Sequence, residues 1–120
     1  MFRFLVALPF VLPATLATAQ DAIYDCEGSS PKWVLTLLDN QAQFLFADRT
    51  IDFEIPQITV AEGQDDPLAY TLLSDADTAI VLLEEESCIA PGREASHEVQ
   101  ILTQRRGLPI LLSGCCQVRE

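Results

Sequence analysis

Alternation is the feature that most constrains this chain. From Lys32 onward, apolar and polar residues change places at almost every step, and turn-forming residues break the pattern at short intervals. Lys32–Leu38 sets Trp33, Leu35 and Leu37 on one face ahead of Asp39-Asn40. Gln41–Ala47 sets Phe44 and Phe46 against Leu45 ahead of Asp48-Arg49. Thr50–Ile55 sets Ile51, Phe53 and Ile55 against Asp52 and Glu54. A two-residue period sends successive side chains to opposite faces of a strand, so each run has one face to bury and one for water. Pro56 lacks the N–H a sheet ladder needs and is expected to close the third run.

The rest of the chain continues in the same style. Gln57–Ala61 is a weaker strand, and Glu62–Pro67 is a polar loop in which Asp65-Asp66-Pro67 has the composition to start one short helical turn. Leu68–Ser74 and Thr78–Glu84 flank Asp75-Ala76-Asp77 as a hairpin. The apolar run Ala79–Leu83 in its second arm suits a central strand covered on both faces. Glu85–Ser96, with Pro91-Gly92, reads as loop. His97–Gln104 and Leu108–Ser113 form a hairpin about Arg105-Arg106-Gly107. Gly114-Cys115-Cys116 is expected to end the ordered part, leaving Gln117–Glu120 as a polar tail. Seven or eight short strands predict an all-β fold, a single antiparallel barrel or sandwich, and sequential hairpins favour the up-and-down barrel.

The first nineteen residues are different. Arg3, an apolar core from Phe4 to Leu12 and the ending Ala17-Thr18-Ala19 match a secretory signal cleaved before Gln20. Pro9 and Pro13 interrupt the apolar run, which is also shorter than the ~20 residues of a membrane span. The expected mature protein, residues 20–120, is thus a single β domain in the periplasm or secreted, without a membrane anchor. Eighteen Asp and Glu against seven Lys and Arg give a net charge of −11, and loss of Arg3 makes it −12. Such a surface does not suit nucleic acid, whose phosphates require a basic face. A cationic protein would be steered towards it.

In an oxidising compartment, Cys26, Cys88, Cys115 and Cys116 are expected to form two disulfides. A bridge between the neighbours Cys115 and Cys116 would strain the peptide bond that joins them. In an extended segment their side chains face opposite ways, so each should reach a different partner. Residue geometry alone leaves two pairings open: Cys26–Cys116 with Cys88–Cys115, or the exchange.

Catalytic signals are sparse. His97 is the only histidine, and in Ser96-His97-Glu98 neighbouring side chains of a strand are expected to diverge rather than assemble a nucleophile and its base. With the cysteines oxidised, zinc would lack its ligands. Glu84-Glu85-Glu86 and Asp65-Asp66 lack the alternating oxygens and glycine of a calcium loop. No phosphate-binding glycine loop is present. The chain reads as non-enzymatic and without a cofactor. Possible partner contacts are Lys32 and Trp33, although Trp33 also alternates with core residues, and the basic pair Arg105-Arg106 at a hairpin tip.

Gly28-x-x-Pro31-x-Trp33, Cys88 and Gly114-Cys115 together resemble a family of small uncharacterised bacterial envelope proteins. Its members carry a G-x-x-P-x-W element near the start and a C-terminal Gly-Cys. The resemblance implies that Cys88 pairs with Cys115, which leaves Cys26 for Cys116. The family's aromatic between proline and tryptophan is Lys32 here. Tyr24-x-Cys26-x-Gly28 is similar to the first strand of the periplasmic β-barrel inhibitors of animal-type lysozyme. Their Ser-Gly-x-Arg-Tyr type loop has no counterpart, the nearest stretch being Ala61-Glu62-Gly63-Gln64. The expected function is a non-enzymatic binding or envelope-support module. The alternatives are an inhibitor of a cationic cell-wall hydrolase such as lysozyme, or a small hydrolase using a carboxylate pair.

Overall fold

The computed structural model describes residues 23–90 and 92–119, and the expected signal segment lies outside them. Ten strands follow in order: β1 (Ile23–Ser29), β2 (Lys32–Leu37), β3 (Gln41–Phe46), β4 (Arg49–Val60), β5 (Leu68–Leu73), β6 (Thr78–Glu84), β7 (Cys88–Ala90), β8 (Arg93–Ala95), β9 (His97–Arg105) and β10 (Leu108–Arg119). Eight of them close into an antiparallel barrel in the order β1-β10-β9-β6-β5-β4-β3-β2, and β7 and β8 form a separate two-stranded hairpin. The expected all-β fold is therefore a closed, up-and-down barrel rather than a sandwich. Closure pairs every strand on both sides and removes the exposed edges of an open sheet.

The alternation in the sequence becomes inside and outside. Trp33, Leu35 and Leu37 of β2, Phe44 and Phe46 of β3, Phe53 of β4, and Val81 and Leu83 of β6 are all buried, with Val99 and Ile101 from β9. Phe44 sits among three aromatic neighbours: Trp33, Phe46 and Phe53 have ring centroids 6.2, 5.8 and 6.5 Å away. Side chains fill this interior, as is usual for small eight-stranded barrels. Thr103 is a buried polar residue of the wall, and its hydroxyl donates to the Thr78 carbonyl at 2.9 Å.

Five expectations require correction. Pro56 does not end its strand: β4 runs on to Val60, because the pairing with β5 shifts between Glu54 and Gln57. At such a bulge no ladder donor is missed, so proline is tolerated. Ala79–Leu83 is not covered on both faces, since Ile80 and Leu82 point outward and are each 42 % exposed. An apolar run looks the same in sequence whether one face or two is covered. The segment Glu85–Ser96 holds the β7–β8 hairpin. Finally, β10 continues through Gln117 to Arg119, because β1 supplies partners as far as Ile23 opposite Arg119. No helical turn forms at Asp65-Asp66-Pro67.

Both disulfides follow the pairing that the family resemblance implies, Cys26–Cys116 and Cys88–Cys115. Cys26 and Cys116 sit directly opposite each other where β1 meets β10, with their side chains in the core. The first and last strands of the barrel are thus joined covalently. Cys115, one residue away, faces outward as the period demands and fastens the β7–β8 hairpin to the outer wall, where Ala90 and Ala95 pack beside it.

Candidate functional site

Residues of the envelope-family pattern meet in one place. Gly28 on β1 lies directly across from Trp33 on β2, and the indole is only 2 % exposed. A Cβ on Gly28 would run into the indole and lie 2.8 Å from the Ser113 carbonyl oxygen. One on Gly114 would come within 2.7 Å of Trp33 Cζ2. Two glycines thus form the slot that admits the tryptophan, and Cys115 follows directly with its bridge to Cys88. The motif is accounted for by packing. Trp33, considered as a partner contact, is withdrawn from solvent, whereas Lys32 beside it is exposed.

In an up-and-down barrel alternate connections fall on the same rim. The β1–β2, β3–β4, β5–β6 and β9–β10 turns share one rim, and the β2–β3, β4–β5 and β6–β7 connections share the other with both described termini. The first rim carries Lys32, Arg49, Arg105 and Arg106 together with Asp48, Asp75 and Asp77. Arg49 pairs with Asp77 at 3.2 Å, and the Arg105 guanidinium lies 5.5 Å from the centre of the Phe46 ring. Phe44, Phe46, Ile51 and Thr103 floor a cavity of about 220 Å³ there, and Arg49, Arg105 and Arg106 stand at its edge. Sequence reading found Arg105 and Arg106 but missed Arg49. The parity of the hairpins was the signal that would have found it.

Two of the tight turns on this rim place residues in the left-handed region. Ala47 and Asp48 have φ of 52° and 61°, so the β3–β4 turn centres on them rather than on Asp48-Arg49, and Arg106 and Gly107 have φ of 53° and 77°. Positive φ at both central residues marks the hairpin turn whose twist matches the flanking strands.

The opposite rim is acidic. The β2–β3 turn contributes Asp39, the β4–β5 loop Glu62, Asp65 and Asp66, and the end of β6 with the following residues Glu84, Glu85 and Glu86. The Asp66 carboxylate accepts the Glu85 backbone N–H at 3.0 Å, which ties two of these loops together. Glu84 stands directly opposite Glu98, a pairing of like charges that opposes sheet formation. Tyr24 belongs to the same neighbourhood: burial first, and then the charges of Glu85 and Asp66, push its phenol pKa up. Its ring meets the His97 imidazole edge-on at 5.1 Å.

Ser96 and His97 do not diverge as expected. The bend at Ser96 precedes β9, and its hydroxyl lies 2.7 Å from His97 Nδ1. The contact is a local one between neighbouring residues. Among the described residues there is no group of three or more His, Cys, Asp or Glu able to hold a metal ion.

On the outer wall, the β7–β8 hairpin lies over β10 and β1. It is held by Cys88–Cys115, by Arg93 paired with Glu27 at 3.1 Å and by Gln117 donating to the Glu94 carbonyl at 3.2 Å. Between this hairpin and the β1–β2 turn is a cavity of about 390 Å³, edged by Lys32, Ser30 and Ile89. Ile89 is 90 % exposed. No family model, no curated protein and no solved structure matches this chain.

Proposed function

We propose that the protein is a non-enzymatic binding module that works outside the cytoplasm and engages a cationic protein through its acidic rim. The observation that carries this reading is the concentration of carboxylates on one rim. Asp39, Glu62, Asp65, Asp66, Glu84, Glu85 and Glu86 from three connections crowd it, while on the other rim Asp48, Asp75 and Asp77 are offset by Lys32, Arg49, Arg105 and Arg106. Fields of one sign over a surface steer a partner of opposite sign and orient its approach. The filled interior agrees with contact at the surface, and the two disulfides agree with an oxidising compartment. A cell-wall hydrolase of the lysozyme class is the partner of choice for this chemistry, as a cationic protein that shares the same space as an envelope protein.

Lysozyme-driven lysis of cell walls, followed with and without the oxidised mature protein, tests the reading. Stoichiometric inhibition should persist at moderate salt and be relieved by combining Glu62→Gln, Asp65→Asn and Glu86→Gln, three exposed rim positions. Inhibition seen only at low salt would reduce the effect to general charge attraction. No inhibition at either salt would remove this class of target.

A further inference from the structure

We infer that the mouth of the barrel on the rim opposite the acidic one is a binding site for a small organic carboxylate with an apolar body. The cavity of about 220 Å³ at this mouth is walled from opposite sides of the barrel, by Phe44 and Phe46 of β3 and Ile51 of β4 on one side and by Thr103 of β9 on the other. Strand parity brings the arginines to it. Arg49 stands two residues before Ile51 and Arg105 two residues after Thr103, so each continues the inward row of its strand to the point where the interior meets water. Arg106, in the β9–β10 turn, completes the edge. Among the described residues no Asp or Glu lines the cavity, and Asp48, Asp75 and Asp77 of the same rim lie outside it. The mouths of β-barrels favour small-molecule sites, in which apolar walls carry a few well-placed polar groups.

Charge and size identify the ligand. On a chain of net charge −11, the ion pairs among the described residues involve Arg49, Arg93 and Arg119, and neither Arg105 nor Arg106 has a carboxylate partner. The Arg105 guanidinium lies 5.5 Å from the centre of the Phe46 ring, which sets its N–H donors where the apolar floor ends. Donors in that position suit a carboxylate, which accepts two parallel hydrogen bonds from one guanidinium. Arg49, already paired with Asp77 at 3.2 Å, is the lesser contributor. A hydrated inorganic anion gains nothing from Phe46 and Ile51 and would lose water against them, so the apolar body is part of the recognition. An apolar cavity of about 150 Å³ holds benzene. The larger volume here takes one ring with a short chain, and the chain carries the carboxylate out to the arginines.

Titration of the oxidised mature protein with 4-phenylbutyrate, followed by calorimetry and amide NMR, tests the site. An ionic strength of about 0.15 M screens the field of distant charges. One-to-one binding is expected, with the largest amide shifts in the β3–β4 and β9–β10 turns. The uncharged 4-phenylbutanol should bind at least about tenfold more weakly, the effect of losing one hydrogen bond between charged groups. Acetate, the charge without the body, should show no measurable binding. Arg105→Gln combined with Arg106→Gln should raise the dissociation constant at least about tenfold. Lys32→Gln, on the same rim but outside the cavity, should leave it unchanged. The amide spectrum of each variant checks that it is folded. No binding of 4-phenylbutyrate would overturn the inference, and so would equal affinity for the alcohol or for acetate. Indifference to loss of both arginines, an equal loss from Lys32→Gln, or shifts centred away from the two turns would overturn it as well.

Discussion

Tyr24 shows how one side chain feels both the core and the acidic rim. Its ring is 9 % exposed and touches His97, and burial, Glu85 and Asp66 together raise its pKa above the ordinary value of about 10. The folded chain then holds the phenolic proton more tightly than the unfolded one. This contribution to stability is complete below pH ~10 and is lost as pH climbs through the folded-state pKa. Denaturant midpoints of the native protein should therefore fall above pH ~10, and Tyr24→Phe should flatten that fall. Equal pH slopes in the two proteins would mean that Tyr24 does not titrate differently in the two states. Neither the burial nor the two carboxylates could be read from Tyr24-x-Cys26-x-Gly28, because Asp66 and Glu85 arrive from distant loops.

At the scale of the element, turn chemistry explains both a correct reading and a missed one. Arg105-Arg106-Gly107 announced its hairpin because glycine takes a positive φ without cost, and Gly107 does so. The β3–β4 turn was placed one residue late because Ala47 gives no such signal, yet its φ is 52°. An alanine held there carries strain of about 1 kcal/mol that glycine would not. Ala47→Gly should thus raise stability by up to about 0.6 kcal/mol, the relief of about 1 kcal/mol less the roughly 0.4–1 kcal/mol that glycine's extra freedom in the unfolded chain costs. A lower midpoint in urea would show that Ala47 makes contacts worth more than the strain. Strand β4 makes a similar point. Its alternation was legible to Ile55, but continuation past Pro56 depends on a bulge in the pairing with β5, which no local pattern records.

For the whole molecule, the decisive event is closure. Cys26 and Cys116 are separated by 90 positions in sequence and bridge the seam between β1 and β10, whereas Cys88–Cys115 spans 27 and fastens an external hairpin. In the chain-entropy account the seam bridge contributes about 4–5 kcal/mol and the outer one about 3–4. Replacing Cys26 and Cys116 by alanine should therefore cost more than replacing Cys88 and Cys115. Guanidinium unfolding followed by Trp33 fluorescence measures both pairs. An equal or larger loss from the outer pair would show that the hairpin, not the seam, governs cooperativity. Closure also gathers charge: consecutive turns alternate between rims, so Asp39, the Glu62–Asp66 loop and Glu84–Glu86, far apart in the chain, come to lie at one end.

The sequence by itself determined the all-β class, the position of most strands, the inward face of each, and the need for Cys115 and Cys116 to part company. All of these follow from a two-residue period and from local turn residues, which act over a few positions. Only the tertiary structure decided that the sheet closes, that β10 runs to Arg119, and that Ile80 and Leu82 meet solvent. It also decided that Gly28 and Gly114 make one slot for Trp33, and that Arg49 joins Arg105 and Arg106. The physical reason is common to them. Each depends on which strand lies beside which and in what register, a property of pairs of segments far apart in the chain.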